Sequence, residues 1–337
     1  MSEKPKGLLI TTEKVYKGFF NEKIIAQIQS LVDLKIITRK CFGDEFNYRE
    51  ILKAYSPRII ITGWESPYLT CELHKMCGEL KLIIHTAGSV KGIVEKGVLQ
   101  KGVLVSNWGS TSAITIAEAS LMRAIASLRR VPFWHNEMHF RGNWKGPDAY
   151  WESLFYKKVG IHGFGKISKA LVKLLAPFSC EISAYSPHAP EESFIEYNIK
   201  RSRTLKDLYS ENQIIVNLAA ATEENYHIVD ENILKSMPDH SHLILTGRGM
   251  TMDTEALIRE LRSGRIYAAL DVFEQEPLSP KSPLRGLDNC LLIPHMAGPT
   301  PDRYVDMGNV ALQNIKNFLG KQALINEVTA DKYSYMT

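Results

Sequence analysis

Three ionisable side chains of different types follow short apolar runs in the second half of the chain. Arg248 lies in LILTGRGMTMD, Glu276 in ALDVFEQEPL and His295 in LLIPHMAGPT. A guanidinium is a permanently charged, forked donor, and an imidazole exchanges a proton close to neutral pH. Each residue alone has a purely structural interpretation: a loop ion pair, a solvated carboxylate or a buried histidine. Because α/β proteins assemble their sites at the carboxyl ends of parallel strands, the set indicates one catalytic site.

A second chemical signal is the stretch VGIHGFGKISKALVKLLAPFSCEISAYSPH, from Val159 to His188. Gly163, Gly165 and Ser168 occupy the small-residue positions of a G-x-G-x-x-G fingerprint between a predicted strand and a predicted helix. The first position allows a tight turn, the second a close approach to a pyrophosphate, and the third close packing of helix on strand. The helix N-terminus offers free N–H groups to phosphates. The pattern predicts a dinucleotide site rather than a purely structural turn.

The choice of dinucleotide is left open by the end of the next strand. Ser186 stands where an Asp or Glu normally binds the ribose hydroxyls of NAD. Without that carboxylate NADP is not repelled, yet no arginine follows immediately, and the nearest are Arg201 and Arg203. We therefore expect NAD or NADP, with NAD preferred.

Composition excludes several classes of function. The 337 residues are 45% hydrophobic and 23% charged with a net charge of +4, which argues against a nucleic-acid or membrane partner. Five dispersed cysteines contain no C-x-x-C pair, which suits a cytoplasmic protein without a disulfide framework or bound metal. His135 and His139 have a helical metal-ligand spacing but no placed third ligand, so we interpret them as surface or interface residues.

Apolar runs alternating with helical patterns predict parallel sheets covered on both faces. The predicted strands are 7–12, 34–38, 58–62, 81–85, 102–106, 213–219, 242–247, 265–273 and 289–295, besides the two around the glycine turn. The predicted helices include 22–32, 70–80, 113–130, 254–263 and 305–319. The turn HTAGSV, from His85 to Val90, would expose backbone groups to a ligand, and Trp64 would either line that crevice or simply pack. The long helix is apolar nearly all round, which indicates burial between domains or subunits.

Together these segments resemble the D-isomer-specific 2-hydroxyacid dehydrogenase family over nearly the whole chain. The resemblance is carried by SNWGSTSAITIAE (Ser106 to Glu118), VGIHGFGKIS, TGRGMTMD, AALDVFEQEPL and LLIPHMAGPT, in the family's order. It implies an α/β fold of two doubly wound parallel-sheet domains, with a Rossmann cofactor domain inserted into a flavodoxin-like substrate domain. We assign residues 1–108 and 301–337 to the substrate domain and residues 109–300 to the NAD(P) domain.

The resemblance also implies the reaction, which is hydride transfer between NAD(P)H and a 2-keto acid or D-2-hydroxy acid. His295 would be the general acid/base, Glu276 would support its second ring nitrogen, and Arg248 would bind the substrate carboxylate. The backbone of Gly88, Ser89 and Val90 would also bind that carboxylate. The expected cofactor-binding residues are Gly163, Gly165, Lys166, Ile167, Ser186, Thr246, Asp271 and Gly298, with Asp271 and the Thr246 carbonyl at the nicotinamide carboxamide.

Several positions depart from the family pattern. Besides Ser168 and Ser186, Gly247 replaces an alanine, Tyr156 replaces a glycine, and NLAAAT (217–222) replaces a His-x-Pro segment. A homodimer is expected, because the long helix and the aromatic segment after it resemble the family's dimer contact. Two alternatives are a formate dehydrogenase, which needs no His–Glu pair, and a dinucleotide-sensing corepressor-like protein with little turnover. The identity of the 2-keto acid stays open.

Overall fold

The computed structural model describes residues 3–43 and 46–335, and the chain divides into two compact units. The first unit is built from the segments Met1–Ser112 and Thr300–Thr337, and the second is Ala113–Pro299. The second unit is therefore inserted in sequence between the two pieces of the first.

The amino-terminal piece of the first unit alternates strands and helices. Its elements are β1 Lys6–Thr12, α1 Glu13–Phe19, α2 Glu22–Leu31, β2 Asp33–Arg39, α3 Tyr48–Tyr55, β3 Ile59–Thr62, α4 Leu73–Met76, β4 Leu82–His85, α5 Lys96–Gln100 and β5 Leu104–Ser106.

The second unit opens with two helices and then alternates. Its elements are α6 Ala113–Leu128, α7 Val131–Asn136, β6 Lys158–His162, α8 Lys166–Leu175, β7 Glu181–Tyr185, α9 Glu191–Glu196, β8 Lys200–Arg201, α10 Leu205–Glu211, β9 Ile214–Asn217, α11 Glu231–Ser236, β10 His242–Leu245, α12 Thr254–Arg262, β11 Tyr267–Leu270 and β12 Cys290–Leu292. The chain returns to the first unit with α13 Val305–Leu319 and α14 Ala330–Tyr335.

The two sheets have different strand orders, and both are parallel throughout. The first unit has the order β2-β1-β3-β4-β5, which is the flavodoxin-like order. The second has the order β12-β11-β10-β9-β6-β7-β8. If β6 is numbered 1 and the sheet is read from the β8 edge, this order is 3-2-1-4-5-6-7, which is the Rossmann order with one added strand. The predicted fold class is confirmed.

Both faces of each sheet are covered, which explains why the strands are apolar without alternation. In β1, Leu8 and Ile10 belong to one core and Leu9 to the other. In β10, Leu243 and Leu245 pack on one face, while Ile244 packs on the opposite one. Because the strand interiors are apolar and buried, the polar residues at the strand ends are the ones available for binding and catalysis.

The predicted helix over residues 70–80 is wrong in length, since only Leu73–Met76 is helical. Leu69 bridges to Val94, and the Cys71 N–H donates to the Glu95 carboxylate at 2.7 Å, which holds this part of the chain outside a helix. By contrast, the predicted helix 305–319 is confirmed at both ends, although it is not the last, since α14 follows it. No helix within the described residues is long and apolar enough to cross a membrane.

Candidate active site

The loops that carry Arg248, Glu276 and His295 follow three neighbouring strands. Arg248 comes three residues after β10, Glu276 follows β11, and His295 comes three residues after β12. These strands are adjacent in the sheet and run in the same direction, so their carboxyl ends share one edge. The topology thus brings together three residues that are up to 47 positions apart in the sequence.

His295 and Glu276 form a direct pair. His295 Nδ1 lies 2.6 Å from Glu276 Oε2, and the second carboxylate oxygen accepts the Phe273 N–H at 2.9 Å. The His295 side chain is half exposed. The His295 backbone has a φ of 49°, in the left-handed region that non-glycine residues rarely adopt, and its N–H is bonded to the Asp271 and Ile293 carbonyls. This unusual backbone fixes where the ring can lie.

A close backbone contact brings the Arg248 turn against the Glu276 loop. A Cβ atom on Gly249 would lie 2.0 Å from the Phe273 carbonyl carbon, so only glycine fits there. Arg248 is half buried, and its Nη1 donates to the Gly247 carbonyl at 2.8 Å. Burial lowers the pKa of the Arg248 guanidinium from its ordinary value, and the charge of Glu276 acts in the opposite direction. An arginine stays protonated under such a shift, so this edge of the sheet keeps a fixed positive charge.

Asp271 holds the segment that follows His295. It is completely buried, and its carboxylate accepts the backbone N–H groups of Met296 at 2.9 Å and Ala297 at 3.0 Å. The same carboxylate forms an ion pair with Arg123 of α6, which is itself buried. The sequence analysis missed Arg123, although a single basic residue inside an apolar helix was a usable signal. A contact of Asp271 with the nicotinamide carboxamide stays a prediction.

The glycine turn after β6 has the geometry of a phosphate cradle. Gly163 has a φ of 87°, and a Cβ there would lie 3.0 Å from the Leu218 carbonyl oxygen. At Gly165, the N-cap of α8, a Cβ would meet nothing within 4 Å, so a pyrophosphate can approach the backbone. The Ser168 hydroxyl, in place of the third glycine, donates to the Gly163 carbonyl at 2.6 Å inside the core. These residues fit a dinucleotide, and the serine stabilises the turn.

Lys166 and Ile167 begin the helix after this turn, and the remaining predicted cofactor residues lie at strand ends of the same unit. The Thr246 hydroxyl lies 2.7 Å from that of Ser120 in α6, and Gly298 follows the Asp271-bound segment with open space around it. Gly247 differs from the family's alanine for a steric reason, because a Cβ would lie 2.9 Å from the Ala219 carbonyl oxygen.

The end of β7 carries Ser186, and the structure places Arg201 beside it. Arg201 lies on β8 opposite Ala184 of β7, and its Nη2 donates to the Pro187 carbonyl at 3.3 Å. Its Nη1 pairs with the Glu191 carboxylate at 2.8 Å. The sequence analysis named Arg201 only as one of the two nearest arginines, because a strand pairing rather than a motif brings it close to Ser186.

The first unit contributes the turn Gly88–Val90 after β4. The backbone N–H groups of these three residues donate to no acceptor in the part of the chain that the structure describes. His85 supports the turn. Its Nδ1 lies 3.0 Å from the Thr62 hydroxyl, and its ring also forms a hydrogen bond with the Ser89 backbone. Burial lowers the pKa of His85 to about 4, so the ring is neutral. A turn with free backbone N–H groups, supported by a neutral imidazole, is suited to binding an anion.

A Rossmann unit with a phosphate cradle and an Arg–Glu–His set at its strand ends defines a dinucleotide-dependent oxidoreductase. Residues 121–297, within the second unit, match the family model for "D-isomer specific 2-hydroxyacid dehydrogenase, NAD binding domain". Among the described residues no group of three or more His, Cys, Asp or Glu side chains is arranged to hold a metal.

Several relatives of the chain are named as reductases or dehydrogenases of 2-keto or 2-hydroxy acids, in agreement with the family model. It is 30% identical over 281 residues to glyoxylate/hydroxypyruvate reductase HPR3 of Arabidopsis thaliana, covering 82% of this chain and 85% of the relative. It is 31% identical to a glyoxylate reductase of Thermococcus litoralis, covering 77% and 80% of the two chains. The solved apo structure of Rhodotorula graminis D-mandelate dehydrogenase matches with a TM-score of 0.83 at 18% identity, covering 96% of this chain and 97% of that one. The chain belongs to the D-isomer-specific 2-hydroxyacid dehydrogenase family, whose members are NAD(P)-dependent oxidoreductases.

Proposed function

We propose that this enzyme reduces a 2-keto acid to the D-2-hydroxy acid, with His295 as the general acid. The observation that carries the proposal is the 2.6 Å contact between His295 Nδ1 and Glu276 Oε2. A carboxylate can only accept a hydrogen bond, so Glu276 places a proton on Nδ1 and leaves Nε2 to exchange the catalytic proton. Bound NAD(P)H supplies the hydride to the C2 carbon.

In this reaction, His295 Nε2–H donates its proton to the C2 oxygen as that oxygen gains negative charge. Glu276 stabilises the protonated ring before the transfer and fixes its orientation throughout. In the direction of oxidation, neutral His295 takes the proton back from the hydroxyl. The Glu276 carboxylate therefore acts through His295 and is a positioning residue.

The substrate carboxylate is assigned to Arg248 and to the backbone N–H groups of Gly88, Ser89 and Val90. A guanidinium binds a carboxylate through two parallel hydrogen bonds and thereby orients the adjacent C2 carbonyl. Partial burial of Arg248 strengthens such a charge-assisted pair. Either dinucleotide fits, since no carboxylate stands at position 186.

Absorbance of the reduced nicotinamide tests this proposal directly. Purified protein is screened with NADH and NADPH separately against a panel of 2-keto acids, and we expect rapid oxidation with at least one pair. The His295–Glu276 pair disfavours a formate dehydrogenase, and the named relatives disfavour a corepressor-like protein. Dinucleotide binding without turnover of any keto acid would overturn the assignment.

We also propose self-association through the segment after α6. Phe140, Trp144 and Tyr156 are each more than 70% exposed there, which is unusual for aromatic side chains of a monomer. Light scattering coupled to size-exclusion chromatography is expected to give the mass of two chains, and the mass of one chain would contradict the proposal.

A further inference from the structure

A cluster of aromatic side chains lies beside the turn to which the substrate carboxylate is assigned. In the first unit, β3, β4 and β5 are neighbours, so their carboxyl ends share one edge of the sheet. Trp64 comes two residues after β3, and Trp108 comes two residues after β5. The Gly88–Val90 turn follows β4, the strand between β3 and β5, so it lies at the same edge of the sheet as both tryptophans.

The rings form one continuous wall. The Trp64 and Trp108 centroids are 5.5 Å apart at an interplanar angle of 88°, and Tyr304 approaches Trp64 at 5.9 Å. Phe19 is buried behind them, 5.1 Å from both Trp64 and Tyr304. Trp64, Trp108 and Tyr304 are only partly buried, so their rings keep an apolar surface that protein atoms do not cover. We call Trp64, Trp108 and Tyr304 the aromatic wall.

The wall touches the turn itself. A Cβ on Gly88 would lie 3.0 Å from Trp108 Nε1 and 3.3 Å from the adjacent ring carbons, so the glycine backbone lies against the indole. The Trp108 backbone N–H donates to the Ala87 carbonyl at 3.2 Å, and the Asn107 side-chain amide donates to the Gly88 carbonyl. The indole and the free N–H groups of the turn therefore keep a fixed spacing.

From this juxtaposition we propose that the preferred substrate is a 2-keto acid with a bulky apolar group at C3, branched aliphatic or aromatic, which packs on the aromatic wall. The inference rests on the proposed function, because it takes the turn as a carboxylate site. An apolar group that covers partly exposed aromatic rings is removed from water together with them, and this stabilises the complex. Glyoxylate has no C3 group to pack on the wall, and the C3 hydroxyl of hydroxypyruvate would lose part of its hydration against largely apolar rings.

The first test compares kcat/KM for glyoxylate, pyruvate, hydroxypyruvate, 4-methyl-2-oxopentanoate and phenylpyruvate, with the better of the two dinucleotides. We expect 4-methyl-2-oxopentanoate or phenylpyruvate to exceed both glyoxylate and hydroxypyruvate by about 10-fold or more, since each well-packed methylene is worth at least that much. The ratio of these two bulky acids shows whether the group is branched or aryl. A preference for glyoxylate or hydroxypyruvate overturns the inference but leaves the proposed function intact. No turnover of any acid overturns both.

Variants separate substrate contact from structural support. Trp64→Ala is expected to lower kcat/KM for the bulky acid by about 10-fold or more and for glyoxylate by less than about 3-fold, whereas Trp64→Phe keeps most of the preference. Tyr55→Ala is the matched control, because Tyr55 lies at the opposite edge of the sheet, where its hydroxyl donates to the carbonyl of Asp33, the first residue of β2. Equal losses for both acids in Trp64→Ala and in Trp64→Phe would show a purely structural role and overturn the inference.

Discussion

The carboxylate of Glu276 bridges the His295 imidazole and its own loop. Oε2 lies 2.6 Å from His295 Nδ1, and Oε1 accepts the Phe273 N–H at 2.9 Å. The carboxylate is thus oriented by the backbone before it orients the ring. Because the Phe273 N–H restrains Glu276, and Glu276 in turn restrains His295, the two side chains have a defined geometry relative to each other.

Replacement of His295 by alanine is expected to lower kcat by about 10²- to 10⁴-fold, the usual contribution of positioned proton transfer. Dinucleotide affinity, measured by quenching of protein fluorescence, is expected to change less than about 3-fold, because the glycine turn does not involve the ring. Glu276→Gln should cause a smaller loss in kcat, since it keeps an acceptor for Phe273. An equal loss of turnover and dinucleotide affinity in His295→Ala would contradict the assigned role.

Arg248→Lys keeps the positive charge and removes the forked donor set. We expect KM for the keto acid to rise about 10-fold or more, since two parallel hydrogen bonds are replaced by one point charge. Steady-state kinetics check this, with Arg259→Lys on α12 as a control that alters an exposed arginine paired with Glu231. An unchanged KM would exclude Arg248 as the carboxylate ligand.

The choice of cofactor is expected to respond to Ser186 and Arg201. Ser186→Asp places a carboxylate where the 2′-phosphate of NADP would lie, so KM for NADPH should rise about 10-fold or more while KM for NADH changes little. Arg201→Ala should weaken NADPH selectively, because the side chain reaches the Pro187 carbonyl beside Ser186. Arg203→Ala, two positions along and exposed, is the control. Parallel changes for both dinucleotides would place Arg201 away from the phosphate.

The sequence was sufficient for the architecture and for the residues at strand ends. Buried parallel strands are continuous apolar runs, so their positions, and the Arg248, Glu276 and His295 that follow them, were predictable. Contacts between distant elements were not predictable in this way. The ion pair of Arg123 with Asp271 joins residues 148 positions apart, and Arg201 reaches Pro187 only through the pairing of β7 with β8. Such pairs depend on the tertiary packing and leave no local spacing to detect.

Removal of Arg123 is expected to destabilise the second unit. Arg123→Met leaves the buried Asp271 carboxylate without its cation, which typically costs about 3–5 kcal/mol. Urea denaturation followed by circular dichroism measures the loss, with Arg129→Met, an exposed arginine just after α6, as the control. Arg123→Met combined with Asp271→Asn should recover part of the stability, because no buried charge then remains. A change below about 1 kcal/mol in Arg123→Met would show that Asp271 is satisfied by its backbone donors alone.

Two buried histidines predict how stability depends on pH. Burial lowers the pKa of His85 and of His162 from 6.5 to about 4. The unfolded chain therefore binds these protons at a higher pH than the folded chain does. The free energy of unfolding should be insensitive to both residues above pH 6.5 and should fall as the pH is lowered from 6.5 towards 4.

The expected slope between these two pKa values is about 1.4 kcal/mol per pH unit for each histidine. Urea denaturation at a series of pH values measures it. His162→Asn, which keeps a polar group near the Tyr209 hydroxyl, is expected to remove one histidine's share of the slope, and His85→Asn the other. If neither buried variant flattens the curve, the folded protein takes up these protons as readily as the unfolded chain.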